Sequence, residues 1–111
     1  MGDHISDDAD RRVLLITNSA VGRRMSGPGV RYWELARILG NSPGLDVTLA
    51  VTPGVVVQPP RDDLPFRLQS CHSEADLRAV AAMAEVVVAP GAVVSLYPSL
   101  RQIQKPLVLD L

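Results

Sequence analysis

Gly27-Pro28-Gly29 stands just ahead of Arg31 at the mouth of an amphipathic segment, and these residue types together suit the holding of an anion. Gly29, immediately before Val30, leaves backbone N–H groups uncovered by any β-carbon at a helix start, where the helix dipole presents its positive end. Arg31, in the first turn, is placed for a charge-assisted bond to a phosphate or carboxylate. A plainer reading competes for the same residues: Gly27-Pro28-Gly29 only makes a turn, and Arg31 pairs with Glu34 at i, i+3 on a solvated face. Spacing leaves both open.

The two common nucleotide-binding signatures do not fit. A dinucleotide fingerprint needs G-x-G-x-x-G directly after a strand, whereas Gly22, Gly27 and Gly29 run as G-x-x-x-x-G-x-G and begin five residues after Thr17. A phosphate-binding loop needs Lys and then Ser or Thr after its second glycine, where this chain has Pro28 and Gly29. Cys71 beside His72 has the residue types of a nucleophile and its base, but sequence neighbours seldom point at each other, so a structural cysteine is expected. One cysteine excludes an internal disulfide and a cysteine-rich zinc site, and no metal is indicated.

These residues need a scaffold, and the hydrophobic pattern describes one. Residues 13–17, 46–51, 86–89 and 107–110 are near-continuous runs of β-branched residues and leucine, the signature of strands buried on both faces of a parallel sheet. A short further strand is allowed around 66–68. Tyr32, Leu35, Ala36 and Leu39 form one helical stripe, with Gly40 where a C-cap glycine belongs. Ser73 and Asp76 make a capping-box pattern ahead of a second stripe, Leu77, Val80, Ala81 and Ala84. A third helical stretch is expected between Gly91 and Lys105, broken or restarted at Pro98. Residues 53–65, with four prolines and two adjacent aspartates, read as a surface loop.

Strands alternating with helices, joined by right-handed crossovers, give an α/β fold: an open, doubly wound parallel sheet with helices on both faces. Ligands of such sheets bind beyond the carboxyl ends of the strands, near the point where strand order reverses. That rule gathers Asn18, Gly27, Pro28, Gly29, Gly91 and Asp110 at one edge, and leaves Glu74 and Asp62 away from it.

A chain of 111 residues makes one domain, and with 47% hydrophobic but only 4% aromatic residues its core is aliphatic. The net charge of −1 offers no electrostatic grip on nucleic acid or an anionic membrane. Residues 1–12 read as a disordered acidic tail and 13–111 as the domain. Gly2 and Ser6 fit a myristoylation pattern, but four aspartates nearby oppose a membrane surface, so the match is read as chance and no peripheral membrane contact is indicated. No apolar run reaches the roughly 18–20 residues that span a bilayer, and the polar start is no secretory signal. A reducing, cytoplasmic setting follows. Because the sequence stops on the last residues of a strand, the domain is expected to be incomplete at its C-terminus, with exposed apolar surface that favours oligomers or aggregation.

The segment MSGPGVRYWELARIL, residues 25–39, resembles the opening of the first helix in many bacterial glycosyltransferases of the large group 1 class, which have the two-domain GT-B architecture. DVTLAVTP resembles that family's second strand, and AEVVVAPGAVVSLYPSLRQIQKPLVLDL its strand–helix–strand run toward a DLYDP-like turn. The resemblance covers residues 13–111. It implies a Rossmann-like N-terminal domain on the acceptor side of a retaining enzyme, one that moves a sugar from a nucleotide-sugar donor to an acceptor hydroxyl. The nucleotide-sugar is a substrate, and no cofactor is implied.

Carried over by position, the loop that approaches the donor diphosphate is Gly27, Pro28 and Gly29, with Arg31 beside it, and Gly91 is a second cleft-lining point; Asn18 and Asp110 are cleft-lining candidates from the topology rule alone. A diphosphate suits exposed backbone N–H donors. The chain departs from the family in lacking the second domain, with its nucleotide pocket, basic residues and paired glutamates. It also has no counterpart of the histidines of the N-terminal cleft, since only His4 and His72 are present. No catalytic residue is therefore assigned. The chain alone is expected to be inactive and to need a C-terminal domain or a second chain. Two other readings stand beside this one: a stand-alone Rossmann-like nucleotide or small-ligand binding module, which binding of nucleoside diphosphates would favour, and a non-catalytic interaction protein, which co-purification of a partner chain would favour.

Overall fold

The computed structural model describes residues 10–58 and 63–110. The tail with Gly2, His4 and Ser6, the loop residues 59–62 with Asp62, and residue 111 lie outside the described residues. The main sheet is built from β1 (Arg11–Thr17), β3 (Leu45–Val51), β5 (Arg67–Ser70), β6 (Val86–Pro90) and β7 (Leu107–Asp110). All of its pairings are parallel, and the strand order is β5-β3-β1-β6-β7. The chain steps outward from β1 through β3 to β5, then returns to the other side of β1 for β6 and β7. This reversal at β1/β6 is the layout of a doubly wound sheet and is compatible with a Rossmann-like fold.

Two apolar clusters occupy the two faces, as the period of two along each strand requires. On one face Leu15, Val47, Leu49 and Val51 pack under α1 (Gly27–Gly40), which contributes Tyr32, Trp33 and Ala36. On the other face Leu14, Ile16, Ala50, Val87 and Ala89 meet Leu77 and Ala81 of α2 (Glu74–Ala82). Val93 and Val94 of α3 (Gly91–Leu96) and Leu100 of a 3₁₀ turn (Pro98–Gln102) complete that cluster. Trp33 and Phe66 add an edge-to-face contact with ring centroids 5.1 Å apart, a favoured aromatic geometry.

Four details differ from the reading of the sequence. Strand β1 begins at Arg11, two residues ahead of the expected start, because Arg11 pairs with Leu45 and its N–H donates to the Gly44 carbonyl at 2.8 Å. The short strand near 66–68 lies at Arg67–Ser70. Gly40 is still helical and does not end α1. The cap is Asn41, in right-handed geometry, with its side-chain Nδ2 donating to the Arg37 carbonyl at 3.0 Å. Glycine is needed at position 40 for space, since a β-carbon there would stand 2.4 Å from the Pro65 carbonyl oxygen. Finally, the stretch at 53–65, expected as a surface loop, contains β4 (Val57–Gln58), which forms a two-stranded parallel ladder with β2 (Val21–Gly22).

Candidate functional site

The carboxyl ends of β1, β6 and β7 stand side by side, and the mouth of α1 opens beside them. At the end of β1, the buried Thr17 turns the chain by accepting the Ser19 N–H on its Oγ1 at 3.2 Å. Asn18 is left exposed at that edge. The chain then enters β2, where Gly22 has φ +108° and a β-carbon would overlap the Gln58 carbonyl. The Arg23 N–H donates to Gln58 O at 2.8 Å. The long approach to the helix is thus pinned down on both strands of the ladder.

Within the glycine-proline-glycine turn the two glycines differ. Gly27 is exposed and a β-carbon there would meet nothing within 4 Å. Gly29 is buried, and a β-carbon would stand 2.2 Å from the Ala20 carbonyl oxygen. Glycine at 29 therefore lets the loop backbone close onto the first turn of α1. Ser26 takes the N-cap position in extended geometry but makes no side-chain cap, and no acidic residue sits in the first turn. Pro28 supplies the fixed φ and lacks an N–H. The helix entrance therefore has no acidic side chain of its own first turn to offset its positive dipole end.

Arg31 does not pair with Glu34, which is engaged by Arg37 instead. The Arg31 guanidinium reaches across to the end of β7 and donates to Asp110 Oδ1 at 2.6 Å. Two of the residues expected at the edge are thus joined directly, 79 positions apart. Tyr32, next along α1, is 2% exposed, and its hydroxyl is sealed from solvent. Burial, and after it the negative charge of Asp110, push the phenol well above its ordinary range. Asp110 faces this hydroxyl, yet no described group completes an aligned hydrogen bond to it. Gly91, half-buried, opens α3 directly after β6 at the same edge.

Tyr32 was legible in the sequence only as part of an apolar stripe. The signal for more was a hydroxyl directly after Arg31 in the opening turns of the helix, but its meeting with Asp110 depends on the strand order. Elsewhere, a groove of about 290 Å³ runs between α2 and the sheet, lined among others by Arg12, Asp46, Thr48, Gln69 and Met83. It shares no residue with the carboxyl edge. Cys71 is buried, with its thiol raised by burial and by Asp76, and is not paired with His72. Among the described residues, no group of three or more His, Cys, Asp or Glu side chains is placed to hold a metal, and no helix is long and apolar enough to cross a membrane.

Against known proteins, the chain matches no family model, no curated protein and no solved structure. The fold and the geometry of this edge therefore stand by themselves.

Proposed function

We propose that the chain is the acceptor-side, N-terminal half of a retaining glycosyltransferase. Its carboxyl edge receives the phosphate and sugar of a nucleotide-sugar donor together with an acceptor hydroxyl. The observation that carries this reading is the placement of the uncapped α1 entrance, with Gly27, Pro28 and Arg31, beside the strand-order reversal of the parallel sheet. An anion meets backbone donors without a side-chain cap there, and the ends of β6 and β7 form the other wall. The segment at 25–39 adds its resemblance to the first helix of such enzymes. In this reading the nucleotide-binding half comes from a further α/β domain or a second chain, and the protein acts in the cytoplasm.

The experiment is a transfer assay on the natural full-length gene product, with a panel of labelled nucleotide-sugars and with Gly27→Ala and Arg31→Ala variants. Consumption of one donor, with its KM raised in both variants, is the expected result. A folded protein that consumes no donor of the panel sinks the reading. The stand-alone binding module is the second reading, favoured by the two buried clusters that give this chain a core on both faces of its sheet. Tight binding of a nucleoside diphosphate by the chain alone, without turnover of any donor, would select it.

A further inference from the structure

Three polar side chains from two distant parts of the chain meet at the carboxyl edge, and they are not equivalent. Asp110 is partly accessible, with its side chain 20% exposed, while Arg31 is 65% exposed and grips one of its carboxylate oxygens. Tyr32 lies beneath, its hydroxyl facing the carboxylate without an aligned partner among the described residues. A buried hydroxyl without a partner is a costly thing for a fold to retain unless something holds it to a task.

We infer that Asp110 is the hydrogen-bond acceptor for a hydroxyl of a neutral sugar or polyol ligand, with Arg31 and Tyr32 as the positioning residues that fix its carboxylate. This rests on the sugar-transfer reading and assigns it a specificity-determining contact. The chemistry follows from what the cluster has left to offer. A carboxylate only accepts hydrogen bonds, and Oδ1 is already taken by the guanidinium, so Oδ2 is the oxygen available to a ligand. An anion placed against Oδ2 has no proton to donate to a group that only accepts hydrogen bonds. An ammonium group gains little, because Arg31 has already neutralised the carboxylate. A hydroxyl loses neither way, and a carboxylate oriented in advance holds it without reorganisation. Tyr32 supplies the second restraint: its buried hydroxyl lies against the carboxylate and has a proton to donate to it.

The test uses the isotope-labelled full chain, titrated with myo-inositol and methyl glucoside as neutral probes and with pyrophosphate as the anionic one. Backbone amide shifts of Gly91 and Asp110 are followed. A neutral probe is expected to give saturable shifts at both amides. Asp110→Asn should weaken that binding by about 10- to 100-fold, the range for losing a charge-assisted hydrogen bond. Tyr32→Phe should weaken it by a smaller factor at an unchanged or raised denaturation midpoint, an affinity change that a purely structural hydroxyl would not produce. Arg31→Gln, at an exposed position, gives a second variant with an expected several-fold loss should Asp110→Asn fail to fold.

No saturable shift by either neutral probe overturns the inference, as does binding that is indifferent to Asp110→Asn and Arg31→Gln. Binding of pyrophosphate alone, tightened by Asp110→Asn, also overturns it, because Asp110 would then merely occupy Arg31 in place of an anion. The donor assay reads separately. Turnover of a nucleotide-sugar without Asp110-dependent polyol binding removes this inference alone, and polyol binding without turnover removes the glycosyltransferase reading alone.

Discussion

Gly27 and Gly29 sit two residues apart and answer to different constraints. At Gly29 the β-carbon is excluded by the Ala20 carbonyl, so Gly29→Ala should destabilise the chain by about 1–3 kcal/mol, the usual range for forced overpacking. At Gly27 nothing stands in the way, and Gly27→Ala should leave stability unchanged or raise it by up to about 1 kcal/mol through a less flexible unfolded chain. Denaturant midpoints of the two variants check both, and equal midpoints would contradict the geometry. It follows that Gly27, not Gly29, is the position at which ligand access can be probed with the fold intact. Cys71 yields a second residue-scale expectation. Its buried thiol, raised by burial and by Asp76, should react with a disulfide reagent far more slowly in the native chain than in denaturant.

The two long helices begin in opposite ways. At α2, Ser73 Oγ accepts the Asp76 N–H at 3.1 Å, and Asp76 accepts the His72 N–H at 2.9 Å, one residue before the cap instead of the Ser73 N–H of a capping box. At α1, Ser26 caps nothing with its side chain. Ser73→Ala should therefore cost about 1 kcal/mol, and Ser26→Ala much less, as measured by thermal or denaturant unfolding. The α1 entrance, uncapped and with no acid in its own first turn, keeps its positive dipole end, while Arg31 beside it is engaged by Asp110. The β2–β4 ladder is the device that holds this entrance in place, and its two residues per strand are too few to leave a periodic signal in the sequence.

Across the whole molecule, burial of Tyr32 under the end of β7 ties alkaline stability to one phenol. Its ionisation is raised above the ordinary value of about 10 in the folded chain, so the neutral form is favoured by folding. The sign follows from linkage: this contribution is fully present below pH 10 and is lost as the pH climbs above it toward the folded value. Denaturation midpoints measured between pH 9 and 11.5 should fall with rising pH, and the slope should be shallower in Tyr32→Phe. Identical slopes would show that Tyr32 is not the group responsible. At the outer strand β7, Val108 and Leu109 remain 51% and 43% exposed, so the sheet carries apolar surface at that edge.

Short-range physics made most of the elements readable from residues alone. The runs of Val, Leu and Ile that became β1, β3, β6 and β7 declare two-sided burial, and the helical stripes of α1 and α2 declare one buried face. The capping of α2 is equally local, with His72, Ser73 and Asp76 joined by two hydrogen bonds within five positions. Even the gathering of Asn18, Gly27, Gly91 and Asp110 at one edge follows from the alternation of strands and helices, since parallel crossovers leave few topologies. The partners within that edge are another matter. Whether Arg31 meets Glu34 or Asp110 is undecided by spacing, because both offer a carboxylate. It was resolved by β7 lying two strands from β1, so that its end reaches the first turn of α1. The same holds for Gly29 and Gly40, whose need for glycine comes from carbonyls of Ala20 and Pro65 brought close by folding. Local pattern selects what each segment becomes, while contacts between segments far apart in the chain depend on the order of the strands and on which backbone oxygens the packing presses against a helix.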